Sequence, residues 1–152
     1  MALASPSLKM RALRLLGSRE YSRAELCAKL ARFEETPGSL AGLLDELQDK
    51  GFINEQRVLE SVLHRRAGQH GSARIRQELQ GKGLAPEAVA AAVAALQATE
   101  RVRAQAVWRK KFGAPAADAR AAGQQMRFMA ARGFGNDVIR QLIKGGADDI
   151  DT

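Results

Sequence analysis

The sequence predicts an all-α fold: about nine short helices, arranged as three tandem three-helix repeats in an elongated body. Apolar residues recur three and four positions apart along most of the chain, which is the helical period. Strand signals are nearly absent, because no alternating run of Val, Ile, Thr or Tyr reaches four residues and no Asn-Gly or Asp-Gly turn occurs. A signal that stops one helix and starts the next occurs three times and divides the chain into repeats.

This stop-and-restart signal spans nine residues and begins at Leu47, Leu79 and Met129. Each copy has an apolar residue, two further residues, a basic residue, Gly, Phe or Leu, any residue, Asn or Pro, and an acid. The Gly suits a left-handed helix C-cap, and the Phe or Leu after it can fold back onto the last turn. The Asn or Pro and the acid favour a new helix start. The copies are unequally spaced, so the array is degenerate.

The sequence signals for helix starts are strongest in the first part of the chain. Ser5-Pro6 can begin the first helix, and Ser22 with Glu25 forms a capping box for the second. The third helix follows Pro37–Ser39, and Asn54 caps the fourth. The predicted inward residues are Leu8, Ala12, Leu15, Leu16, Leu26, Leu30, Phe33, Leu40, Leu43, Leu44, Leu47, Val58, Leu59, Val62 and Leu63. Cys27 falls within this apolar pattern and is expected to be buried.

Five further helices are predicted in the second part. The first begins at Ser72, the second covers Pro86 to Leu96, and the third covers Arg101 to Phe112. After a loop around Pro115, the fourth ends at Gly133, and the fifth runs from Asn136 to about Lys144. The inward residues are expected to be Ile75, Leu79, Val89, Val93, Leu96, Val102, Ala106, Val107 and Trp108. The predicted organisation is a flexible N-terminus over 1–7, repeats over 8–53, 54–99 and 100–145, and an acidic flexible tail over 146–152.

Charge provides the first functional indication. The chain carries a formal net charge of +7, and the stretch from Arg101 to Arg132, with eight basic residues and one acid, carries the same excess. Such a balance favours polyanions or acidic surfaces as partners. The predicted partner- or DNA-binding surface comprises Arg65, Arg66, Arg74, Arg76, Lys82, Arg101, Arg103, Arg109, Lys110, Lys111, Arg127 and Arg132. Trp108 could stack on a base, but the scarcity of aromatic residues favours a place in the core.

The sequence does not favour an enzyme. It has no phosphate-binding glycine loop, and His64 and His70 are six positions apart, which does not suit two metal ligands on one helix face. No cofactor or metal is expected, and both histidines are interpreted as members of the basic surface. One cysteine, no long apolar run and no secretory signal indicate the cytoplasm.

Four passages resemble the RecX family of regulators of the recombinase RecA. They are Tyr21–Leu26 with Lys29-Leu30, Leu47–Asn54, Gly71-Ser72 with Arg74-Ile75, Leu79 and Gly83-Leu84, and Arg132–Phe134 with Asp137–Ile139. The likeness extends from about Leu8 to Lys144, and the order and spacing of the motifs make it specific. Glu55, where the family more often has Asp, and the Ala-rich stretch from Ala114 to Ala122 depart from the pattern.

The resemblance implies three tandem three-helix repeats in a curved, elongated body and a function as a negative modulator of RecA. Such a protein binds in the groove of the RecA–DNA filament and limits filament growth, ATP hydrolysis, strand exchange and co-protease activity. The implied partners are the RecA filament and, weakly or within the filament, single- and double-stranded DNA. A role in DNA repair, recombination and the SOS response follows, with no membrane association and a monomeric chain.

Two alternatives come from the residues themselves. Tyr21 to Ile53 would also suit a helix-turn-helix or winged-helix DNA-binding regulator, but that fold next needs a β-hairpin wing, and Asn54 to Arg66 has a helical pattern instead. A structural helical-repeat scaffold without nucleic-acid affinity is the other alternative. It predicts no loss of partner binding when Arg109, Lys110 and Lys111 are all changed to Ala.

Overall fold

A computed structural model of the chain describes residues 5–144. These residues form eight α-helices and one 3-10 helix and contain no β-strand, so the predicted all-α class is confirmed and the helix count is near nine. The helices are α1 (Leu8–Ser18), α2 (Arg23–Leu30), the 3-10 helix (Ala31–Phe33), α3 (Ser39–Asp49), α4 (Glu55–Arg66), α5 (Ser72–Gly81), α6 (Pro86–Lys111), α7 (Ala119–Ala131) and α8 (Asn136–Lys144). Most of the predicted flexible N-terminus and the whole acidic tail lie outside the described residues.

The predicted helix starts are mostly confirmed. Ser22 Oγ accepts from Glu25 N at 3.1 Å, and Glu25 Oε1 accepts from Ser22 N at 3.0 Å, so α2 begins with the predicted capping box. The start of α1 is corrected: Ser7, not Ser5, is the cap, because its hydroxyl accepts from Met10 N.

The glycine of each stop-and-restart signal adopts the predicted left-handed conformation. The φ angles of Gly51, Gly83 and Gly133 are +81°, +70° and +90°. Leu84 and Phe134 are buried as predicted. Phe52 is corrected: it is 48% exposed, and the next residue, Ile53, is the buried one in this copy of the signal.

Helix α6 is longer than the sequence predicts. The helices predicted over Pro86 to Leu96 and Arg101 to Phe112 are one continuous 26-residue helix. Nothing between them breaks a helix, because residues 97–100 contain neither Gly nor Pro. Its later half buries Glu100, Ala104 and Trp108, which are four positions apart on one face. Val102 lies off this face and is 71% exposed, so its predicted burial is wrong.

The described residues fold as two compact units. The first comprises 5–61 and Gly81–Leu84, and the second comprises Val62–Gln80 and 85–144. The core of the first unit contains Ala12, Tyr21, Leu26, Leu30, Leu40, Leu44, Leu47 and Ile53. The core of the second unit contains Ala104, Trp108, Met129, Phe134, Ile139 and Leu142. The three repeat ranges and the elongated, curved shape stay predictions.

The predicted burial of Cys27 is wrong. Helix α2 buries Leu26 and Leu30, whereas Cys27 is exposed. Neighbouring positions on a helix point about a quarter-turn apart, so the residue after a buried leucine can face solvent. The chain's only cysteine is therefore a surface thiol rather than a core residue.

Candidate partner-binding surface

The second unit contains a groove whose floor is apolar and whose rim is cationic. Its walls enclose about 470 Å³, and we call it the Phe128 groove. It is lined by Gly68, Gln69, Ala106, Val107, Lys110, Lys111, Phe128 and Arg132. No acidic side chain is among them, so a bound group with negative charge would meet three cations and no anion at the lining.

Helix periodicity explains why these residues meet. Val107 and Lys111 on α6 are four positions apart, and so are Phe128 on α7 and Arg132 just after it. The Phe112 ring packs edge-on against Phe128, with ring centroids 5.4 Å apart and planes at 86°. Lys111 Nζ lies 5.2 Å from the Phe128 centroid and Arg132 Cζ lies 5.0 Å from it. The ring thus holds two of the three cations by cation–π contacts.

A buried hydrogen-bond chain holds α6 beside α7. Trp108 is 3% exposed, and its Nε1 donates to Gln125 Oε1 at 3.0 Å. Gln125 Nε2 then donates to the carbonyl of Ala114, in the loop between the two helices, at 3.2 Å. Trp108 is therefore a core residue, as predicted, and is not available to stack on a base.

The structure places the twelve predicted binding residues in different environments. The exposed ones are Arg65, Arg74, Arg76, Arg101, Arg109, Lys110, Lys111 and Arg127. Arg66, Arg103 and Arg132 are half-buried, and Lys82 is buried. Only Lys110, Lys111 and Arg132 share the Phe128 groove. Whether any of the twelve contacts a partner stays a prediction.

Lys82 does not lie on the surface, which corrects its assignment to a basic surface. It is 9% exposed, and its Nζ is 3.1 Å from Glu25 Oε2 within the first unit. Burial raises the pKa of Glu25, but hydrogen bonds from the Ser22 amide, Lys82 and Arg19 outweigh it and lower the pKa overall. Lys82 therefore completes the capping box of α2.

Arg103 also has a structural environment. Its Nη1 donates to the carbonyls of Ala67 and His70 at 2.9 and 2.7 Å, and its Nη2 donates to the carbonyl of Leu96 at 2.8 Å. Burial lowers its pKa, and the Glu100 charge offsets this in part. These bonds hold the loop between α4 and α5 against α6, so Arg103 is left out of the surface proposed below.

Two other predicted residues are partly engaged within the second unit. Arg66 Nε lies 3.3 Å from Glu78 Oε2, and Arg74 Nη1 donates to the carbonyl of Ala131 at the end of α7 at 3.0 Å. The Arg74 contact places a cation where helix carbonyls lack partners. Both side chains therefore support the fold with at least part of their hydrogen-bonding capacity.

His70 was interpreted from sequence as part of a basic surface, and this is wrong. It is 6% exposed, and within residues 5–144 its Nδ1 has no hydrogen-bond partner. Burial lowers its pKa, and the charges of Arg74, Arg132 and Arg66 lower it further, against a small opposing effect of Glu78. His70 is therefore held neutral at pH 7.

The described part of the chain gives no sign of a metal centre or a membrane span. Within it, no three His, Cys, Asp or Glu side chains come together in a way that could hold a metal ion. Over the same residues, no helix has the length and apolar character needed to cross a bilayer.

Over residues 5–144, the all-helical fold without strands defines a class of protein: a helical-repeat protein. Models of the second and third three-helix domains of RecX match residues 54–93 and 99–143. The regulatory protein RecX of Leptothrix cholodnii is 50% identical over 138 residues, covering 91% of this chain and 88% of that protein. That of Ralstonia nicotianae is 46% identical, covering 91% and 87%. The chain belongs to the RecX family of regulatory proteins.

A solved structure confirms the fold. The crystal structure of RecX from Lactobacillus salivarius matches with a TM-score of 0.70 at 18% identity, covering 90% of this chain and 92% of that one. The resemblance inferred from four short sequence passages is thus confirmed, and the expected tandem three-helix architecture with it.

Proposed function

We propose that this chain is a negative modulator of RecA that binds in the groove of the RecA–DNA filament. There it limits filament growth, ATP hydrolysis, strand exchange and co-protease activity. Family membership supports RecA as the partner. The observation that carries the binding surface is the Phe128 groove, because it gathers three cations without an acid at its lining.

The chemistry of this groove suits a filament of nucleic acid and protein. Cations on its rim can meet phosphates or acidic side chains, and each phosphate contact releases counterions and makes binding dependent on salt. Its apolar floor of Val107 and Phe128 can cover a small apolar group of the partner. Several weak contacts of this kind along a repeating filament would add to high avidity. The chain acts as a monomer in this proposal.

The winged-helix alternative receives no support. Its wing requires a β-hairpin after Ile53, and the structure has α4 from Glu55 to Arg66 at that point, with no strand anywhere in 5–144. The scaffold alternative differs from the proposal only in whether the groove cations contribute to binding. The experiment below separates the two.

The test is RecA ATP hydrolysis on single-stranded DNA with this protein titrated in. We expect inhibition, and we expect K110Q/K111Q to raise the half-inhibitory concentration roughly fivefold, since an exposed charge contact contributes about 0.2–1 kcal/mol. The charge-matched comparison is R120Q/R140Q: Arg120 and Arg140 are exposed in the same unit, lie outside the Phe128 groove and are not among the twelve predicted binding residues. No inhibition by the wild-type chain would contradict the proposed function. Inhibition that K110Q/K111Q leaves unchanged would favour the scaffold.

A further inference from the structure

The first unit has a second cation-lined groove, of about 250 Å³, which the sequence analysis did not identify. It lies beside the Phe33 ring, between α1 and the end of α2, and we call it the Phe33 groove. It is lined by Arg11, Arg14, Leu15, Lys29, Leu30, Arg32 and Phe33. Four of the seven side chains are cations and none is an acid.

The cations come as two pairs with helical spacing. Arg11 and Arg14 are three positions apart on α1, and Lys29 and Arg32 are three apart at the end of α2 and in the 3-10 helix. The Arg11 guanidinium carbon lies 3.7 Å from the Phe33 ring centroid and that of Arg32 lies 4.6 Å from it. A guanidinium held against a ring keeps its N–H groups available as donors, and its ordering lowers the entropy lost on binding an anion.

Several acidic side chains of the first unit have partners outside the groove. Glu20 pairs with Arg57, Asp45 with Arg23, and Glu46 with Lys9 and Lys50. Glu34 accepts from the Leu40 amide at the start of α3. Arg14 and Lys29 are exposed, and no ion pair with either occurs in the described part of the unit. Four cations that share a groove without an acid at its lining, and that form no ion pair within the described residues, indicate an external anion.

We propose that the Phe33 groove binds the phosphate backbone of single-stranded nucleic acid. A strand supplies one negative charge per nucleotide in any sequence, whereas a protein partner would need a run of acidic residues to satisfy four neighbouring cations. Three of the four cations are arginines, whose planar N–H pairs match phosphate oxygens. This inference goes beyond the proposed function, because it requires no contact with RecA.

The test uses nucleic acid alone. Anisotropy of a fluorescent oligothymidylate would give the dissociation constant of the full chain over a range of salt concentrations. R14Q/K29Q removes two exposed charges and leaves the guanidiniums on Phe33 in place. We expect its dissociation constant to rise roughly fivefold at low salt. We expect the slope of log K against log salt to fall by about 1.4, since each phosphate contact on a single strand contributes about 0.7.

Two controls accompany this variant. K9Q/K50Q removes the same charge from the same unit outside the groove and should change affinity by less than about twofold. R14K/K29R keeps both charges and should bind like the wild type. Should R14Q/K29Q fold poorly by circular dichroism, the single variants R14Q and K29Q replace it, each with about half the loss of slope.

Several results would overturn the proposal. One is an unchanged dissociation constant and salt slope in R14Q/K29Q and in both single variants. Another is an equal loss in K9Q/K50Q, which would assign the effect to net charge. A third is displacement of the oligothymidylate by polyglutamate of matched length at equal concentration, since that would identify a site for acidic peptides.

Discussion

The Phe33 groove of the first unit and the Phe128 groove of the second unit have the same arrangement of cations around an aromatic ring. They differ in the type of cation and in the buried contacts that support the surrounding helices. Each places two cations against one aromatic ring, and each lacks an acid at its lining. Arginines predominate around Phe33, whereas two of the three cations around Phe128 are lysines. Arginine donates in a fixed plane and lysine acts as a mobile point charge, so the first groove suits geometric recognition of phosphate better.

The buried polar residues that hold the helices around each groove differ more than the groove linings do. Within residues 5–144, the buried polar residues are His70, Ser72, Glu100 and Gln125 in the second unit and Ser22 and Lys82 in the first. In the second unit, Ser72 with Glu100 and Gln125 with Trp108 join one helix to another, whereas Ser22 and Lys82 in the first unit both serve the start of α2. A buried polar group that loses its partner costs more than an exposed one. The second groove should therefore be the more sensitive to substitutions far from its rim.

The largest expected effect is at Gly71. A Cβ at this position would collide with the backbone of Gly133 and Phe134, where Gly71 N donates to the carbonyl of Arg132 at 2.8 Å. We expect Gly71→Ala to lower the free energy of unfolding by about 3 kcal/mol. Urea titration followed by Trp108 fluorescence measures this, because Trp108 lies in the same unit.

In the first unit, a glycine-to-alanine substitution is expected to stabilise the fold instead. Gly42 lies within α3, and a Cβ there would meet no heavy atom within 4 Å. We expect Gly42→Ala to raise the free energy of unfolding by about 0.5–1 kcal/mol, because alanine favours a helix interior over glycine. Equal destabilisation by both substitutions would remove the contrast between the units.

Glu100 and Glu25 provide a second contrast, because each caps a helix start. Glu100 is 6% exposed and accepts from the Ser72 amide at 3.0 Å and from the Ser72 hydroxyl. We expect Glu100→Ala to cost about 2 kcal/mol, since it leaves a buried helix start without its acceptor. Glu25→Ala, in a half-exposed setting, should cost about 1 kcal/mol. Unfolding followed by circular dichroism at 222 nm compares the two, and a larger cost at Glu25 would contradict the account.

Acid should affect the second unit through His70, and both histidines of the chain lie in that unit. The folded-state pKa of His70 lies below its ordinary value, so between that lowered pKa and about 6.5 the unfolded chain binds more protons. This contribution to stability is present above about pH 6.5 and is lost as the pH falls below it.

We therefore expect the melting temperature of the second unit, followed by Trp108 fluorescence, to fall as the pH is lowered from about 7.5 to about 5.5. His70→Gln should remove most of this dependence, because glutamine does not titrate. An undiminished pH dependence in the variant would show that another group is responsible.

The smallest expected effect is at Glu46, on the surface of the first unit. Hydrogen bonds from Lys50 and Lys9, with their charges, lower its pKa to about 2. Both ion pairs are exposed, so screening leaves them little weight in stability. We expect Glu46→Gln and K9Q/K50Q to leave the melting temperature near that of the wild type, and a large shift in either would disqualify K9Q/K50Q as a control.

The sequence correctly predicted those features of the fold that depend on residues close together along the chain. The capping box of Ser22 and Glu25, the left-handed glycines and the Leu stripes of α2 and α3 are all local patterns, and each is found in the structure. The continuity of α6 was missed because Arg101 was interpreted as a new helix start, although nothing before it breaks a helix.

The sites were less predictable, because burial and pairing depend on residues far apart in sequence. Lys82 is separated by 57 positions from Glu25, with which it pairs. The Phe33 groove was missed because Glu20, Glu25, Glu34 and Glu35 reduce the net charge of its stretch of sequence. Two pairs of cations at helical spacing, Arg11 with Arg14 and Lys29 with Arg32, were the signal that could have revealed it.

The most direct test of the two-groove account is a double-variant cycle on the RecA–DNA filament. Filament affinity would be measured for the wild type, R14Q/K29Q, K110Q/K111Q and the combined variant. If both grooves bind the filament, each double variant weakens binding, and the free-energy losses add within about 0.5 kcal/mol in the combined variant. A combined variant that binds no more weakly than one of its parents would contradict the account.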